Sequence, residues 1–562
     1  MGWSVNLDEV TSGKKRWKNE IFFVLILLLL CGTLFFFRLG ARPLWNVDEG
    51  MHSVTSKEMV LSGDWITTTF NGENFFDKTV LHNWFVAISF LAFGFTEFAA
   101  RLPAALLGLG CVMVTYLLGR RAAGPTVGLF GGVILATNLE FIIISRSVIH
   151  DISLVFFITL ALYFFYMGFT EERRRKTYFF LLYGASGFAV LAKGPIGVLL
   201  PALIIALFLI LQRKLSIVGE MHLGWGSLIF LTIAAPWYIL ISLRNSDYLG
   251  YFFIQQNLMR FLSPEAQHSE PFYYYFPVLL GGFFPWSFFL PVALFRALWD
   301  HSKRAGEGVL FLLVWFGVVF LFFSAASSKL SSYILPLFPA MSLLVGIFWH
   351  DLLKTPALVL RKGFFFSFIA FLAILLITAL YFGLNPPTHW QHEYGLDMTI
   401  IYFLVFILLG CAATAFLLLL RQKYGSSFST ITCMMISIVI LYVVQLAPLA
   451  TPYWSSKELA QRLDPLLAPE EKLVFYRNMK DSTLFYTNRK AVVLYFPQQV
   501  GDLLASSTRA FVITDEEFLE ELGSCINGSY VVDREGSTLV ISNRKTDDLT
   551  APQGDRSSWR GK

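Results

Sequence analysis

The chain has 562 residues, of which 56% are hydrophobic and only 15% are charged, and its formal net charge is +5. A water-soluble domain cannot bury so much apolar surface, so the composition predicts a polytopic membrane protein. The small net charge gives no indication of nucleic-acid binding, and basic residues in such chains serve instead to set orientation in the membrane.

The amino-terminal segment carries basic residues ahead of an apolar run at 20–38. This run is long enough to cross a bilayer, and no small-residue cleavage motif follows it. We therefore expect a retained first span and no cleaved signal peptide. Lys14, Lys15, Arg16 and Lys18 then place the amino terminus in the cytoplasm by the positive-inside rule.

Residues 39–100 are expected to form the first outer loop, and polar chemistry is dense in its stretch from Arg42 to Lys78. Asp48 and Glu49 follow soon after the first span, and Lys78 lies further along the loop. Carboxylates this close to a bilayer are costly unless they are paired or used. The short apolar run at 81–95 is predicted to be an interfacial helix that does not cross the membrane.

Twelve more apolar runs follow the loop and bring the predicted number of spans to thirteen. They lie at 101–119, 124–144, 152–169, 177–192, 194–211, 223–243, 274–295, 308–324, 333–350, 363–383, 400–420 and 429–447. With the amino terminus inside, the basic clusters of six connections all fall on the cytoplasmic side. These clusters are Arg120–Arg121, Arg173–Lys176, Arg213–Lys214, Arg296 with Lys303–Arg304, Lys354 with Arg361–Lys362, and Arg421 with Lys423. The odd number of spans puts the carboxyl terminus outside.

The composition changes near residue 451, where alternating patterns predict a small α/β domain over 451–543. The segments SSKELAQRLDPLL, QQVGDLLAS and EEFLEEL are typical of helices, and KLVFYR, AVVLYF, RAFVITD, SYVVD and TLVIS of strands. The polar tail at 544–562 is expected to be disordered. Four of the five cysteines fall in apolar spans, so no disulfide framework or metal-ligand spacing is present.

Ionisable residues concentrate on the predicted outer side, many of them at the ends of spans. Asp151 begins a span in SRSVIHDISLVFF, Lys193 lies in the turn LAKGP, and Lys329 lies in SSKLSSYILP. Charges at this depth are only partly hydrated and prefer a partner. Several cations with a few acids indicate an anionic ligand, and phosphate suits lysine and arginine donors.

These residues also carry a family resemblance. The loop WNVDEGMHSVTSKEMVLSGDWITTTFNGENFFDKTVLHNW resembles that of GT-C membrane glycosyltransferases, in particular bacterial 4-amino-4-deoxy-L-arabinose transferases and protein O-mannosyltransferases. The resemblance continues through EFAARLPAALLG, ISRSVIHDISL, VLAKGPIGVLLP, APWY, RFLSPE, FFPWSFFLP and SKLSSYILPLFPA, to about residue 350. It implies a catalytic membrane domain of GT-C type over 1–450, followed by an outer carboxyl-terminal domain.

The function that the resemblance implies is inverting sugar transfer from a polyprenyl-phosphate donor, without nucleotide sugar or ATP. The acceptor would be a hydroxyl or phosphate of lipid A or a related glycan, at the periplasmic face of the bacterial inner membrane. Acceptors of the protein O-mannosyltransferase kind, Ser or Thr of secreted proteins, stay open. No cofactor and no nucleic acid are expected.

By position in the family motifs, Asp48 is implied to be the leading catalytic carboxylate and Asp151 its partner. Glu49 is either catalytic, a helix cap or a support for Asp48. The implied donor-phosphate ligands are Lys78, Arg260, Tyr333, Lys193 and Lys329. Plainer alternatives remain: Asp151 could be a helix cap, Lys78 and Arg260 lipid-headgroup anchors, and Tyr333 an interfacial belt residue.

Three departures from the family pattern affect the expected metal requirement and the expected identity of the transferred sugar. Asp77-Lys78-Thr79-Val80 stands for the usual Glu-Lys-Pro-Pro, and Gly50-Met51-His52 for a segment with an Arg-Tyr pair. Gln255-Gln256-Asn257 stands where the family often has a Glu-His pair. Because likely metal ligands are missing, we predict no obligatory metal, and aminoarabinose is less strongly indicated as the particular sugar.

A transporter or flippase for a lipid-linked sugar is the rival interpretation. Transporters place ionisable groups near the middle of the bilayer and often show related halves or broken helices. The predicted spans are nearly free of mid-helix charge, and the polar residues concentrate on one side. That distribution favours an enzyme supplied from one face of the membrane.

Overall fold

The computed structural model describes residues 7–263, 268–299, 306–354, 358–385, 398–468 and 471–545. Residues 546–562 of the predicted tail, the Lys303–Arg304 cluster and Pro264–Glu265 of the RFLSPE motif lie outside the described residues.

Long apolar helices make up most of the described chain. Nine of those described are long and apolar enough to cross a membrane, and eleven segments qualify if each of two bent helix pairs counts as one. The chain is therefore a polytopic helical membrane protein, as predicted. The helices of this region are α1 (Leu7–Cys31), α2 (Asp48–Ser62), α3 (Leu81–Phe93), α4 (Glu97–Ala123), α5 (Pro125–Ala136), α6 (Leu139–Ser145), α7 (Asp151–Thr170), α8 (Arg175–Lys193), α9 (Ile196–Gln212), α10 (Ile217–Glu220), α11 (Leu223–Arg244), α12 (Arg260–Leu262), α13 (Tyr275–Gly282), α14 (Leu290–Trp299), α15 (Glu307–Ala325), α16 (Phe338–Lys354), α17 (Leu358–Leu384), α18 (Met398–Leu420), α19 (Tyr424–Leu441) and α20 (Ala447–Trp454).

The loop at residues 39–100 folds into α2, a short antiparallel hairpin and α3. The hairpin pairs β1 (Thr69–Phe70) with β2 (Glu73–Asn74). Helix α2 ends where Gly63 adopts a left-handed conformation, with φ of 72°, and its N–H bonds to the Met59 carbonyl at 3.1 Å. Glycine meets no Cβ clash in this conformation, so the chain turns sharply toward the hairpin.

Two broken helices meet at their breaks inside the membrane region. The α5–α6 pair is bent by 70°, and the pair formed by α13 and the segment Trp286–Trp299 by 117°. The Leu139 N–H donates to the Phe284 carbonyl at 3.0 Å, and Trp286 Nε1 donates to Thr137 Oγ1 at 2.9 Å. Backbone and side-chain donors freed by the breaks are thus paired between the helices, which a bilayer requires.

The break in the α5–α6 pair also buries an ionisable residue. Glu140 is the second residue of α6 and is 7% exposed. It packs against Gly282, where any side chain would collide with it. The sequence analysis described the spans as nearly free of such charge. The sequence analysis therefore missed both the buried Glu140 and the broken helices.

The carboxyl-terminal region forms a five-stranded mixed sheet in the order β4-β3-β5-β7-β6. Strand β3 is parallel to β4 and β5, and β7 is antiparallel to β5 and β6. Side chains of one face pack with α21 and α22, and those of the other with α23 and α24. The elements are α21 (Lys457–Leu463), β3 (Leu473–Tyr476), α22 (Asp481–Thr487), β4 (Ala491–Leu494), α23 (Pro497–Leu504), β5 (Phe511–Asp515), α24 (Leu519–Leu522), β6 (Tyr530–Glu535) and β7 (Thr538–Ser542).

This carboxyl-terminal domain packs on the loop at residues 39–100. The Asn71 side chain exchanges two hydrogen bonds with the backbone of Ala491, at 2.7 and 3.0 Å. Lys57 Nζ donates to the Phe485 carbonyl at 2.6 Å, so a helix of the loop is fastened to α22. The sequence analysis did not predict α22, which is short and is the helix that contacts α2.

Candidate active site

A cavity of about 400 Å³ opens at one end of the helical region, and we call it the cationic cavity. Four elements contribute its charged and aromatic residues. Lys78 lies before α3, Lys193 ends α8, Arg260 follows a π-helix over Gly250–Met259, and Tyr333 lies in a 3₁₀-helix over Ser331–Leu337. Its remaining wall is largely apolar, with Leu154, Ile196, Leu199, Phe252, Phe322 and Phe323.

Lys193 connects the cavity to the start of α7. Its Nζ atom forms an ion pair with Oδ1 of Asp151, the first residue of that helix. The same Nζ lies 4.2 Å from the centre of the Tyr333 ring, a cation–π distance. Asp151 is not a side-chain cap of α7, because the cap position is occupied by His150 and lacks a side-chain hydrogen bond.

The surroundings of Lys78 disfavour its positive charge. Burial lowers the pKa of the Lys78 ammonium below its usual value, and Lys193 and Arg260 lower it further while Asp151 and Asp77 oppose them. An anion bound among Lys78, Lys193 and Arg260 would relieve this mutual repulsion. The electrostatics of the cavity therefore favour a negatively charged ligand.

A hydrogen-bonded cluster fixes the two sides of this cavity relative to each other. Asp77 Oδ1 accepts from the Tyr251 hydroxyl at 2.6 Å and from Gln256 Nε2 at 3.0 Å, and Gln256 also donates to Tyr251 at 2.6 Å. Asp77 precedes Lys78, and the π-helix carrying Tyr251 and Gln256 leads into Arg260. We call Asp77, Tyr251 and Gln256 the Asp77 cluster.

A second, larger cavity of about 830 Å³ lies beside α2, and we call it the arginine-lined cavity. Arg38, Arg42 and Arg146 contribute cationic groups to its wall. Arg42 lies over the Trp45 ring at 3.9 Å. Much of the remaining wall is apolar and comes from α6, α18, and α19 with the residues that follow it. These residues are Leu139, Ile142, Ile143, Leu404, Ile438, Val439, Tyr442 and Val443. Such a cavity suits an amphiphile that has an anionic head.

Asp48 lies on the wall of the arginine-lined cavity, at the first turn of α2. Partial desolvation by the surrounding protein raises the pKa of the Asp48 carboxyl, while Lys78 and Lys193 lower it and Asp151 and Glu49 raise it. The residue thus faces one cavity while lying in the electrostatic field of the cations that line the other. A group with a raised pKa in this position is a candidate proton acceptor.

Glu49 is held in a different way from its neighbour. It is 5% exposed and accepts from Arg101 Nε at 2.8 Å, Arg101 Nη2 at 2.9 Å, Arg42 Nη2 at 3.1 Å and the Trp45 N–H at 3.1 Å. Although burial alone would raise it, Arg101 and Arg42 lower the pKa of Glu49 to about 2. With its oxygens committed to these donors, Glu49 is placed to fix the start of α2.

Lys329 lies outside both cavity walls. The side chain is 3% exposed, and Nζ donates to the carbonyls of Glu270, at 2.6 Å, and Ala326. These contacts fasten the segment around Glu270 to the end of α15. The structure therefore brings together Lys78, Lys193, Arg260 and Tyr333 on the wall of the cationic cavity, which does not include Lys329.

Three buried histidines form a cluster that the sequence analysis did not recognise. The His150 ring centre is 4.3 Å from that of His52 and 4.8 Å from that of His82. Burial lowers the pKa of all three, that of His82 to about 4. In the sequence, the cluster could have been suspected from the positions of His52, four residues after Asp48, and of His150, next to Asp151.

Among the described residues, no group of three or more His, Cys, Asp or Glu could hold a metal ion. Metal independence stays a prediction.

Comparison with known proteins identifies a matching family and proteins of similar sequence. Residues 77–240 match the family described as dolichyl-phosphate-mannose-protein mannosyltransferase. The chain is 35% identical, over 345 residues, to the undecaprenyl phosphate-alpha-4-amino-4-deoxy-L-arabinose arabinosyl transferase of Aeromonas salmonicida (strain A449), covering 60% of each chain. It is 32% identical, over 383 residues, to the protein of that name from Shewanella sediminis (strain HAW-EB3), covering 66% of this chain and 68% of that one. The matched region is thus 60% of the first relative's length.

A solved structure shares the fold across almost the whole chain. It is the crystal structure of ArnT from Cupriavidus metallidurans bound to undecaprenyl phosphate, which superposes with a TM-score of 0.79 at 24% sequence identity. The match covers 95% of this chain and 99% of that one. The predicted GT-C type of fold is confirmed.

Proposed function

The chain belongs to the family of undecaprenyl phosphate-alpha-4-amino-4-deoxy-L-arabinose arabinosyl transferases, and from this we propose that it transfers a sugar from a polyprenyl-phosphate carrier to an envelope acceptor. The transfer inverts the anomeric carbon. Relatives that match this chain over 345 and 383 residues carry the name of such a transferase. The 32% identity to the second of them, over more than two-thirds of its length, supports the same reaction class here.

The observation that carries the proposal is the position of Asp48 between two cavities of different character. It lines the arginine-lined cavity, and its carboxyl interacts electrostatically with Lys78 and Lys193 of the cationic cavity. A two-substrate transfer between lipids needs two entrances that meet at one reactive group. The two cavities would provide these entrances, and Asp48 would be the reactive group.

The donor occupies the cationic cavity in this proposal. Its phosphate lies among Lys78, Lys193 and Arg260, and the first isoprene units lie along the apolar wall with Phe252 and Phe323. Positive groups held in a partly dry cavity stabilise the charge that develops on a leaving phosphate. Asp151 orients Lys193 through their ion pair.

In the reaction, an oxygen of the acceptor attacks the anomeric carbon as the bond from that carbon to the carrier phosphate oxygen breaks. Asp48 takes the proton from a hydroxyl acceptor, and the bond's electron pair leaves with the polyprenyl phosphate. The three cations then hold the dianionic product. Glu49, clamped by Arg42 and Arg101, keeps the first turn of α2 and hence Asp48 in place.

The acceptor occupies the arginine-lined cavity. Its arginines match a phosphorylated headgroup, and its apolar wall matches acyl chains, so lipid A is the acceptor we propose. Ser or Thr of a secreted protein is the second candidate, and the match of residues 77–240 to a protein mannosyltransferase family favours it. An extended polypeptide makes less use of the apolar wall.

The proposed topology follows from the helices and the basic clusters together. Thirteen segments cross the inner membrane, the amino terminus is cytoplasmic, and the carboxyl-terminal domain is periplasmic. The helices α8 and α9, together with the nine long helices and two bent pairs of the described chain, supply these thirteen crossings. Residues 1–450 form the catalytic domain, with 39–100 as its first periplasmic loop, and 451–543 the periplasmic domain.

The proposal is tested by deleting the gene and analysing the envelope by mass spectrometry, with complementation by the wild type and by Asp48→Asn. We expect lipid A to lose a sugar that the wild type restores and the variant does not. Loss of a sugar from glycoproteins instead would favour the second candidate. An unchanged envelope with lipid-linked sugar accumulating on the cytoplasmic side would indicate a flippase.

A further inference from the structure

Part of the wall of the arginine-lined cavity comes from the carboxyl-terminal domain. Helix α21, the first helix of that domain, contributes Lys457, Glu458 and Gln461 to the wall. Trp454, the last residue of α20, lies just before it in the sequence and lines the same cavity. The domain therefore contributes side chains to the cavity that receives the acceptor in the proposed function.

The amphipathic character of α21 explains which of its side chains reach the cavity. Leu459 and Leu463 are spaced by four residues and are buried in the core of the domain. In a helix, Glu458 and Gln461 then lie on the opposite side, and both are exposed. The domain core thus fixes the polar side of α21 toward the cavity.

Lys457 is the basic residue of this polar side, and its charge is already paired. Its Nζ atom forms an ion pair with Oε1 of Glu97 at 2.6 Å, and the Tyr486 hydroxyl donates to the same oxygen at 3.1 Å. Glu97 is the first residue of α4, so these contacts hold α21 against the membrane domain. What α21 offers a ligand is therefore a carboxylate and an amide.

The carboxylate of Glu458 has no close cation of its own helix. Arg462 lies 3.8 Å from it but makes a closer ion pair, at 2.8 Å, with Asp533. A phosphate next to Glu458 would be repelled, whereas sugar hydroxyls donate hydrogen bonds to a carboxylate and accept them from an amide such as Gln461. This side of the cavity thus suits an uncharged polyhydroxyl group.

Trp454 provides an aromatic surface next to these polar groups. Its side chain is 46% exposed, and its ring centre lies 5.3 Å from that of Trp45, which the Arg42 guanidinium contacts at 3.9 Å. The C–H groups of a pyranose ring pack well on the electron-rich face of an indole. Four residues of chain span at most about 14 Å, so one headgroup can contact both Trp454 and Glu458.

We propose that Trp454, Glu458 and Gln461 form a saccharide-binding subsite, which holds a sugar ring of the acceptor headgroup while the arginines of the cavity hold its phosphate. This inference rests on the proposed function and names the part of the acceptor that the carboxyl-terminal domain recognises. The three residues are determinants of acceptor specificity and take no part in the bond-making step.

The test compares two lipids that differ in the sugar. Monophosphoryl lipid A has a disaccharide, a phosphate and acyl chains, and phosphatidic acid has only the phosphate and the acyl chains. Binding to the purified full-length protein is measured by native mass spectrometry, in a detergent whose headgroup is not a sugar. Trp454→Ala and Glu458→Gln should each raise the Kd for monophosphoryl lipid A by about tenfold and leave that for phosphatidic acid unchanged.

Trp454 ends a membrane helix, so a role in the aromatic belt has to be separated from sugar binding. Trp225→Ala is the matched control, because Trp225 is 66% exposed and lies outside both cavity walls. Glu520→Gln removes an exposed acid of α24 and is the control for Glu458→Gln. Neither control should change either Kd, and Trp454→Phe should keep most of the affinity. Glu458→Gln, on an exposed helix surface, keeps the test valid if Trp454→Ala folds poorly.

Unchanged binding of monophosphoryl lipid A in Trp454→Ala and Glu458→Gln, or an equal loss for both lipids, would overturn the inference. Tighter binding of a peptide rich in Ser and Thr, lost in Trp454→Ala, would overturn the saccharide assignment.

Transfer kinetics separate the two sugars of the reaction. In Trp454→Ala the KM for the acceptor should rise while the KM for the donor stays unchanged. A rise for the donor alone would place the donor's sugar on Trp454 and overturn the assignment to the acceptor. Sugar-selective binding by a wild-type protein that transfers no sugar would instead overturn the proposed function and leave the subsite established.

Discussion

Lys193 pairs with Asp151 where the last residue of α8 meets the first residue of α7. The pair neutralises one of the three cations of the cationic cavity while holding it beside Tyr333. Two roles are combined in it, since the ion pair joins two helices and the ammonium contributes to anion binding. They can be separated by substitution.

The first prediction is a double-substitution cycle on this pair. Lys193→Met leaves Asp151 uncompensated in a poorly hydrated place, so we expect a loss of about 3 kcal/mol of stability, seen as a lower Tm in detergent. Adding Asp151→Asn removes the lone charge and should recover most of the Tm. The Kd for undecaprenyl phosphate should stay weakened in both. Recovery of the binding together with the Tm would show that Lys193 is only structural.

The second prediction concerns Asp48 as the proton acceptor. Asp48→Asn keeps the shape of the side chain but removes its basicity, so transfer to a hydroxyl acceptor should fall by about 10²- to 10⁴-fold. Thermal stability and the Kd for undecaprenyl phosphate should be close to those of the wild type. Initial rates and binding by the same purified preparation check both. Near-normal turnover would remove Asp48 from the mechanism.

The third prediction concerns the donor phosphate. Lys78→Ala removes a charge-assisted hydrogen bond that contributes about 1.5–3 kcal/mol, so the Kd for undecaprenyl phosphate should rise by about tenfold to a hundredfold. Lys472→Ala serves as the control, because it removes an exposed lysine of the carboxyl-terminal domain. Equal effects of the two substitutions on binding would contradict a specific role for Lys78.

The fourth prediction concerns Glu49 and stability. Its pKa is lowered to about 2 by Arg101 and Arg42 despite burial, against an ordinary value near 4.5. A carboxyl with a depressed folded-state pKa stabilises the protein above its unfolded-state pKa, and this contribution is lost as the pH falls. Between about pH 4.5 and 2 the loss amounts to about 3 kcal/mol.

Tm measured in detergent from pH 6 down to 3 should therefore fall for the wild type. Glu49→Gln should have a lower Tm at pH 6 and a weaker dependence on pH, because Arg101 is 1% exposed and loses its counter-charge. An unchanged Tm in Glu49→Gln at pH 6 would mean that the Arg42–Glu49–Arg101 contacts do not stabilise α2.

Much of the membrane architecture could be predicted because its determinants are local and repetitive. Apolar run length predicts membrane helices one at a time, and the five strands of the carboxyl-terminal domain follow from short alternating patterns. The breaks after Ala136 and Gly282 could not be predicted in this way, because their freed donors are satisfied by each other across the fold. Helix α22 was missed because its seven residues carry little periodicity, and packing against Gly50 stabilises it.

The site could be predicted in part for a similar reason. Lys78, Arg260 and Tyr333 were proposed from motifs, and the structure places all three on one cavity although they are far apart in sequence. Lys329 shared their motif-based assignment, but its carbonyl partners could be identified only in three dimensions.

The last prediction concerns the Asp77 cluster, in which Asp77 and Gln256 lie at two of the departures from the family pattern. Its hydrogen bonds connect the residue before Lys78 to the π-helix that leads into Arg260. Tyr251→Phe deletes the bond to Asp77, which contributes about 1 kcal/mol, and also removes the hydroxyl that accepts from Gln256. The spacing of the two cations should therefore loosen, and the KM for the donor should rise by about fivefold. The kcat should change less, because Asp48 and the acceptor are not touched. Tyr273→Phe is the control, since Tyr273 is an exposed tyrosine outside both cavity walls.

Addition of divalent cations or EDTA tests the Asp77 cluster further. If its hydrogen bonds alone connect the two sides of the cavity, neither addition should alter the KM of the wild type or restore that of Tyr251→Phe. A KM that is lowered by a divalent cation would instead show that Asp77 binds metal.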